Sequence, residues 1–171
     1  MKSSLKYSLL AAFLVITTKL IVFYTHSQFT NFGIFSGLTS LFLIIVPLFL
    51  AIKDKRDKDP GGFITLKEVM KTGLFVAVVA GLLNSVFIFF YYRFIDHETL
   101  SELIEQTQSV MHKAKTSQSE IDVTIINLQE FYSPFKQATG VLTGVLVAGI
   151  ILSFVCSTFL VKNPPQDNNQ I

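Results

Sequence analysis

Four apolar stretches, at residues 7–24, 32–52, 74–92 and 138–161, dominate this chain. Each can form a helix long enough to cross a hydrocarbon layer of ~30 Å at a rise of ~1.5 Å per residue. Backbone polar groups in such a layer must bond within the segment itself, and helices satisfy that condition. Only 15% of the 171 residues are charged and the mean hydropathy is +0.52, too little polarity to clothe a water-soluble surface. The chain therefore reads as an all-α, four-helix transmembrane bundle, with spans at about 7–25, 32–52, 72–92 and 136–161. These make a single membrane domain, 1–163, followed by a polar tail, 164–171. Trp is absent, so the interfacial aromatic role falls to Tyr7, Tyr24, Tyr91, Tyr92 and Tyr132, at or just beyond span ends.

The first span opens on Lys2 and Lys6, as a signal peptide would. Its apolar run outlasts a signal-peptide core, however, and no small-x-small cleavage site follows it. It is expected to be retained. Lys19 interrupts the run about 9 Å along the helix axis from Thr25, within reach of the headgroups for a four-carbon stem. A snorkelling lysine is the favoured reading, over a buried functional charge.

Orientation follows the basic residues. Lys2 and Lys6 precede the first span, Lys53, Lys55, Arg56, Lys58, Lys67 and Lys71 crowd the second connection, and Lys162 follows the fourth span. The opposite side holds only Arg93, Lys113, Lys115 and Lys136. Both termini are expected to be cytoplasmic.

The connections carry signals of their own. Asp59-Pro60-Gly61-Gly62 is a turn, and Thr65 with Glu68 has the spacing of a capping box. Pro47 is expected to kink the second span. The stretch 96–132 reads as an extracytoplasmic helical hairpin. A capping box at Thr99 and Glu102 would start its first helix, with Leu100, Leu103, Ile104, Thr107, Val110, Met111 and Ala114 on one face. Ser119 and Asp122 would start the second, with Ile121, Ile125, Leu128 and Tyr132 facing back. The two stripes either bury each other or present a docking surface to a partner. Pro134 suits the first turn of the last helix.

Small residues recur every four positions within two spans. Gly73, Ala77, Gly81 and Ser85 mark the third, and Gly140, Gly144 and Ala148 the fourth, while Gly33 and Gly37 open the second. Such stripes let helix backbones approach closely, which gains dispersion energy where lipid supplies no hydrophobic effect. They point to a third–fourth pairing or to a homo-oligomer. Asn84, at mid-depth, needs a hydrogen-bond partner worth on the order of 1 kcal/mol.

Reactive chemistry is scarce. No Asp, Glu, His or Arg lies deep in a span, which argues against a proton-coupled transporter. There is no metal-ligand spacing, no phosphate-binding glycine loop and no nucleic-acid signature, so no catalytic residue, cofactor or metal is assigned. The lone Cys156 is a packing residue. His97 and His112 on the hairpin are read as solvated rather than as a weak metal site, and so is His26. The leading expectation is a non-enzymatic protein acting through contacts with the lipid bilayer and a membrane-protein partner or a second copy, as an accessory or scaffold subunit. The alternatives are a small oligomeric transporter or pore, and a lipid-modifying enzyme using His97 with Arg93 and Asp96.

The order of several short motifs resembles a known family. These are Lys2-Ser3-Ser4-Leu5-Lys6-Tyr7, Ala51-Ile52-Lys53-Asp54-Lys55-Arg56 and the run from Gly61 to Glu68 with Gly73. Tyr91-Tyr92-Arg93-Phe94-Ile95-Asp96, Ser133-Pro134-Phe135 and a glycine-rich last span complete the series. The family is one of bacterial membrane proteins, common in Bacteroidota, termed domain of unknown function 4199. The resemblance implies four spans and an inner-membrane location, and brings no activity or catalytic residue.

Overall fold

A computed structural model describes residues 2–96 and 98–163. His97 and the tail 164–171, both named above, lie outside the described residues. The described chain is helical, in the order α1 (Lys2–Tyr24), α2 (Asn31–Asp57), α3 (Leu66–Phe90), a π-helical turn (Tyr91–Ile95), α4 (Glu98–Lys113), α5 (Gln118–Phe131) and α6 (Pro134–Leu160). Four of these segments, Ser3–Tyr24, Asn31–Asp57, Leu66–Ile95 and Pro134–Leu160, are long and apolar enough to cross a membrane. α2 runs unbroken through Pro47. Two compact units divide the chain, residues 84–141 forming one and the remainder the other.

In the larger unit α1 and α2 pack against each other. The turn between them ends at Thr30, whose hydroxyl accepts from the Gly33 N–H and caps α2. A Cβ at Gly33 would overlap the Ser27 and Gln28 carbonyls, whereas Gly37 faces open space. A core of Leu48, Ala51, Ile52, Ile64, Val69, Val76, Cys156 and Leu160 joins the end of α2, the start of α3 and the end of α6. The link from α2 to α3 is held as its sequence implies. Asp59 accepts from the N–H of Gly61 at 3.1 Å, and Gly62 supplies a φ of +62° that a side chain would resist. Thr65 and Glu68 close their capping box, with Thr65 N–H to Glu68 Oε2 at 3.1 Å. Ile64 and Lys162 then exchange two backbone hydrogen bonds, 2.9 and 3.0 Å, an isolated bridge pinning the end of α6. At the other end of this link Asp54 accepts from Lys58 at 2.7 Å and from the Ser3 hydroxyl, tying α1 to α2.

The surface of these helices suits oil. Phe13, Phe42, Phe154 and Phe159 are each more than 60% exposed, an arrangement that would aggregate in water. Span hydroxyls fold back onto their own helices: Ser8 to the Ser4 carbonyl at 2.9 Å, Thr18 to Leu14 at 2.9 Å, Ser153 to Gly149 at 2.6 Å. Each donor is thereby satisfied without water. Lys19 is half-buried.

The smaller unit holds the end of α3, the π-helical turn, α4, α5 and the start of α6. α4 and α5 pack together, joined by a turn in which Lys115 takes a φ of +57°. Both helices start elsewhere than their sequence spacing implies. At α4, Asp96 accepts from the Thr99 N–H at 3.1 Å, and Thr99 is buried inside the first turn rather than capping it. A carboxylate is a stronger acceptor than a hydroxyl and wins the position. At α5 the cap is Ser117 with Glu120, which exchange both hydrogen bonds of a capping box. Val110 and Ala114, expected on the inner stripe of α4, are exposed.

Candidate functional site

The residues marked for packing meet different fates on the two helices. In the larger unit, Gly73, Ala77 and Gly81 all face α6. A Cβ at Gly73 would overlap Ser153 Oγ, and one at Gly149 would overlap the Ala77 side chain. A Cβ at Gly81 would meet Leu142 Cδ1 at 3.3 Å and Val145 Cγ1 at 3.4 Å. In the smaller unit, Ser85 donates to the Ala138 carbonyl at 2.9 Å and Asn84 is buried. The stripe on α3 is therefore a contact surface.

The stripe on α6 makes no such contact with α3 at its two glycines. Gly140 and Gly144 are exposed with nothing within 4 Å of a Cβ, and Ala148 is part-exposed. α6 meets α3 through Ala138, Leu142, Val145, Gly149 and Ser153 instead. Steps of four, three, four and four residues keep one face in line on a helix of about 3.6 residues per turn, with Gly140, Gly144 and Ala148 roughly 140° away. Gly149 and Ser153 are the small residues of the seam, in line with Leu142 and Val145 on the same helix face.

A second cluster lies in the smaller unit. The π-helical turn swings Tyr91 inward, fully buried, where its hydroxyl donates to Asp96 Oδ2 at 2.8 Å. Tyr91 is thus no interfacial anchor: burial of a phenol demands a partner, and Asp96, itself 3% exposed, provides it. Around this pair the rings of Phe87, Tyr92 and Tyr132 pack in sequence, Phe87 to Tyr91 at 5.8 Å, Tyr91 to Tyr92 at 5.1 Å and Tyr92 to Tyr132 at 6.3 Å. Where α5 passes into α6, Lys136 pairs with Glu130 and holds that carboxyl below the usual carboxylate range by its hydrogen bond and charge. Arg93 is exposed, as are His26 and His112. Asp96 is engaged by Tyr91 and the α4 cap, and His97, the third residue weighed for an enzyme, lies outside the described residues. Among the described residues no group of three His, Cys, Asp or Glu side chains is placed to hold a metal ion.

Apolar helices of spanning length, lipid-compatible surfaces and locally satisfied hydroxyls define a four-span, all-α membrane protein. Residues 6–162 match the family described as protein of unknown function (DUF4199), and the chain belongs to that family. No curated protein and no solved structure matches it.

Proposed function

We propose that this is a non-enzymatic subunit of the bacterial inner membrane that works by protein contact, as an accessory or scaffold. The observation carrying this reading is the surface of the α4–α5 pair. These helices fall outside all four candidate spans. Even so, Val110, Val123 and Ile126 are 65, 58 and 61% exposed. On α5 the less exposed apolar residues are Ile121, Ile125 and Leu128, which leaves Val123 and Ile126 outside that face. Apolar side chains left outside on a polar segment suit a partner surface. The excess of lysine and arginine at the α2–α3 link supports cytoplasmic termini, with α4 and α5 on the opposite side.

The burial of Asn84 within its own chain favours this reading over an oligomeric pore, which would need that carboxamide to line a central path. The test is site-specific photocrosslinking in intact cells from Val123 and Ile126, with exposed Gln129 as control. A discrete heavier adduct from the apolar positions alone, retained on purification in mild detergent, is the expected result. Uncrosslinked monomer at every position would overturn the proposal, as would reporter fusions placing residues 53–58 and 98–131 on one side of the bilayer.

A further inference from the structure

In the larger unit a cavity of about 360 Å³ opens between the start of α1, the end of α2 and the first turns of α3. Its lining is sharply divided. Lys55, Lys71, Ser4 and Thr72 are polar, and Leu74 and Phe75 continue the wall on the apolar side. Lys55 lies just after the apolar run of α2, and Lys71 just before that of α3. Leu74 beyond them is 41% exposed on a span surface. The division therefore falls where headgroups give way to hydrocarbon.

Charge decides which amphiphile fits. The acids at this end of the molecule are already engaged: Asp54 by Lys58 and Ser3, Asp57 by Arg56, Asp59 by the Gly61 N–H, Glu68 by Thr65 and Lys55. Lys55 gives one contact to Glu68 at 3.4 Å, and an ammonium has three N–H donors. Lys71 takes part in no ion pair among the described residues. Lys55, Lys71, Ser4 and Thr72 thus line one side of a recess whose lining, among the described residues, includes no carboxylate.

We propose that this cavity binds one anionic phospholipid, its phosphate against Lys55 and Lys71 and its first acyl carbons over Leu74 and Phe75. A zwitterionic headgroup would bring its own cation against the lysines and bind less well. The test uses the full chain, purified in detergent, with phosphatidylglycerol or phosphatidylcholine added and retention read by native mass spectrometry. One retained phosphatidylglycerol is expected, with weaker retention of phosphatidylcholine. Lysines beside an anionic lipid each contribute a factor of about five, so K71Q should lower retention by about that much and K55Q/K71Q further. K53Q/K67Q removes the same charge outside the cavity and should leave retention unchanged. K71Q keeps the Lys55–Glu68 pair, and circular dichroism of each variant separates lost binding from lost fold. The proposal is overturned if both double variants lose lipid equally, if phosphatidylcholine is held as well, or if inorganic phosphate displaces the lipid at matched concentration.

Discussion

Ser153 occupies the notch that Gly73 leaves in α3. The fit is close enough that rotating the hydroxyl away would not admit a methyl, since Ser153 Cβ would still stand 2.8 Å from it. Alanine at Gly73 must therefore move a helix. A cost of about 1–3 kcal/mol is expected, the range for overpacking a tight interface. S153G should restore most of it in the double variant. G140A, which meets nothing, should be neutral or stabilise by up to about 1 kcal/mol through helix propensity. Unfolding in mixed detergent micelles, followed by circular dichroism, measures each variant. Equal losses at positions 73 and 140 would contradict this account of the seam.

Asp96 serves two donors at once, the Tyr91 hydroxyl and the Thr99 N–H. D96A removes a helix cap and leaves a buried phenol without its acceptor, and should cost about 2–4 kcal/mol. Y91F leaves the cap in place and should cost less. Amide hydrogen exchange separates the two effects: Thr99 should lose protection in D96A and keep it in Y91F.

The four spans were legible because hydropathy over twenty residues is a strong, additive signal. So were the turn at Asp59–Gly62 and the Thr65–Glu68 cap, each encoded within four consecutive residues. Rotation of a helix about its axis was harder to read. Gly73, Ala77 and Gly81 happen to be both small and inward, whereas on α6 the small residues at 140 and 144 face outward and the seam falls on Gly149 and Ser153. In lipid, small and apolar side chains are tolerated on either face, so amphipathicity, the usual guide to rotation, is lost. The π-helical turn at Tyr91–Ile95 was hidden for another reason. It exists to bring Tyr91 onto Asp96, a pairing that depends on three-dimensional burial rather than local propensity.

Capping offers a direct comparison between two neighbouring serines. Ser117 donates its hydroxyl to Glu120 and accepts from the Glu120 N–H, whereas Ser119 meets the Ser117 hydroxyl, at 3.2 Å, and caps no backbone N–H among the described residues. S117A should destabilise α5 by about 1 kcal/mol. S119A should stay within about 0.5 kcal/mol of the parent, as surface changes away from such features do. Exchange rates of the Glu120 and Ile121 amides report the difference, rising in S117A alone.

The Lys136–Glu130 pair gives a pH dependence of known sign. Lys136 favours the charged form of Glu130 in the folded state, so the folded carboxyl titrates below its unfolded value. The stabilisation is complete above the unfolded value and is lost as pH falls through the lower, folded one. Both side chains are more than half exposed, so the effect is small and weakens further with added salt. NMR titration of the Glu130 side-chain carboxyl should show a midpoint below the ordinary glutamate range. K136M should raise that midpoint toward the ordinary value, and the wild-type midpoint should drift the same way as salt is increased. A midpoint that ignores both changes would mean that the ammonium is not what holds this carboxylate.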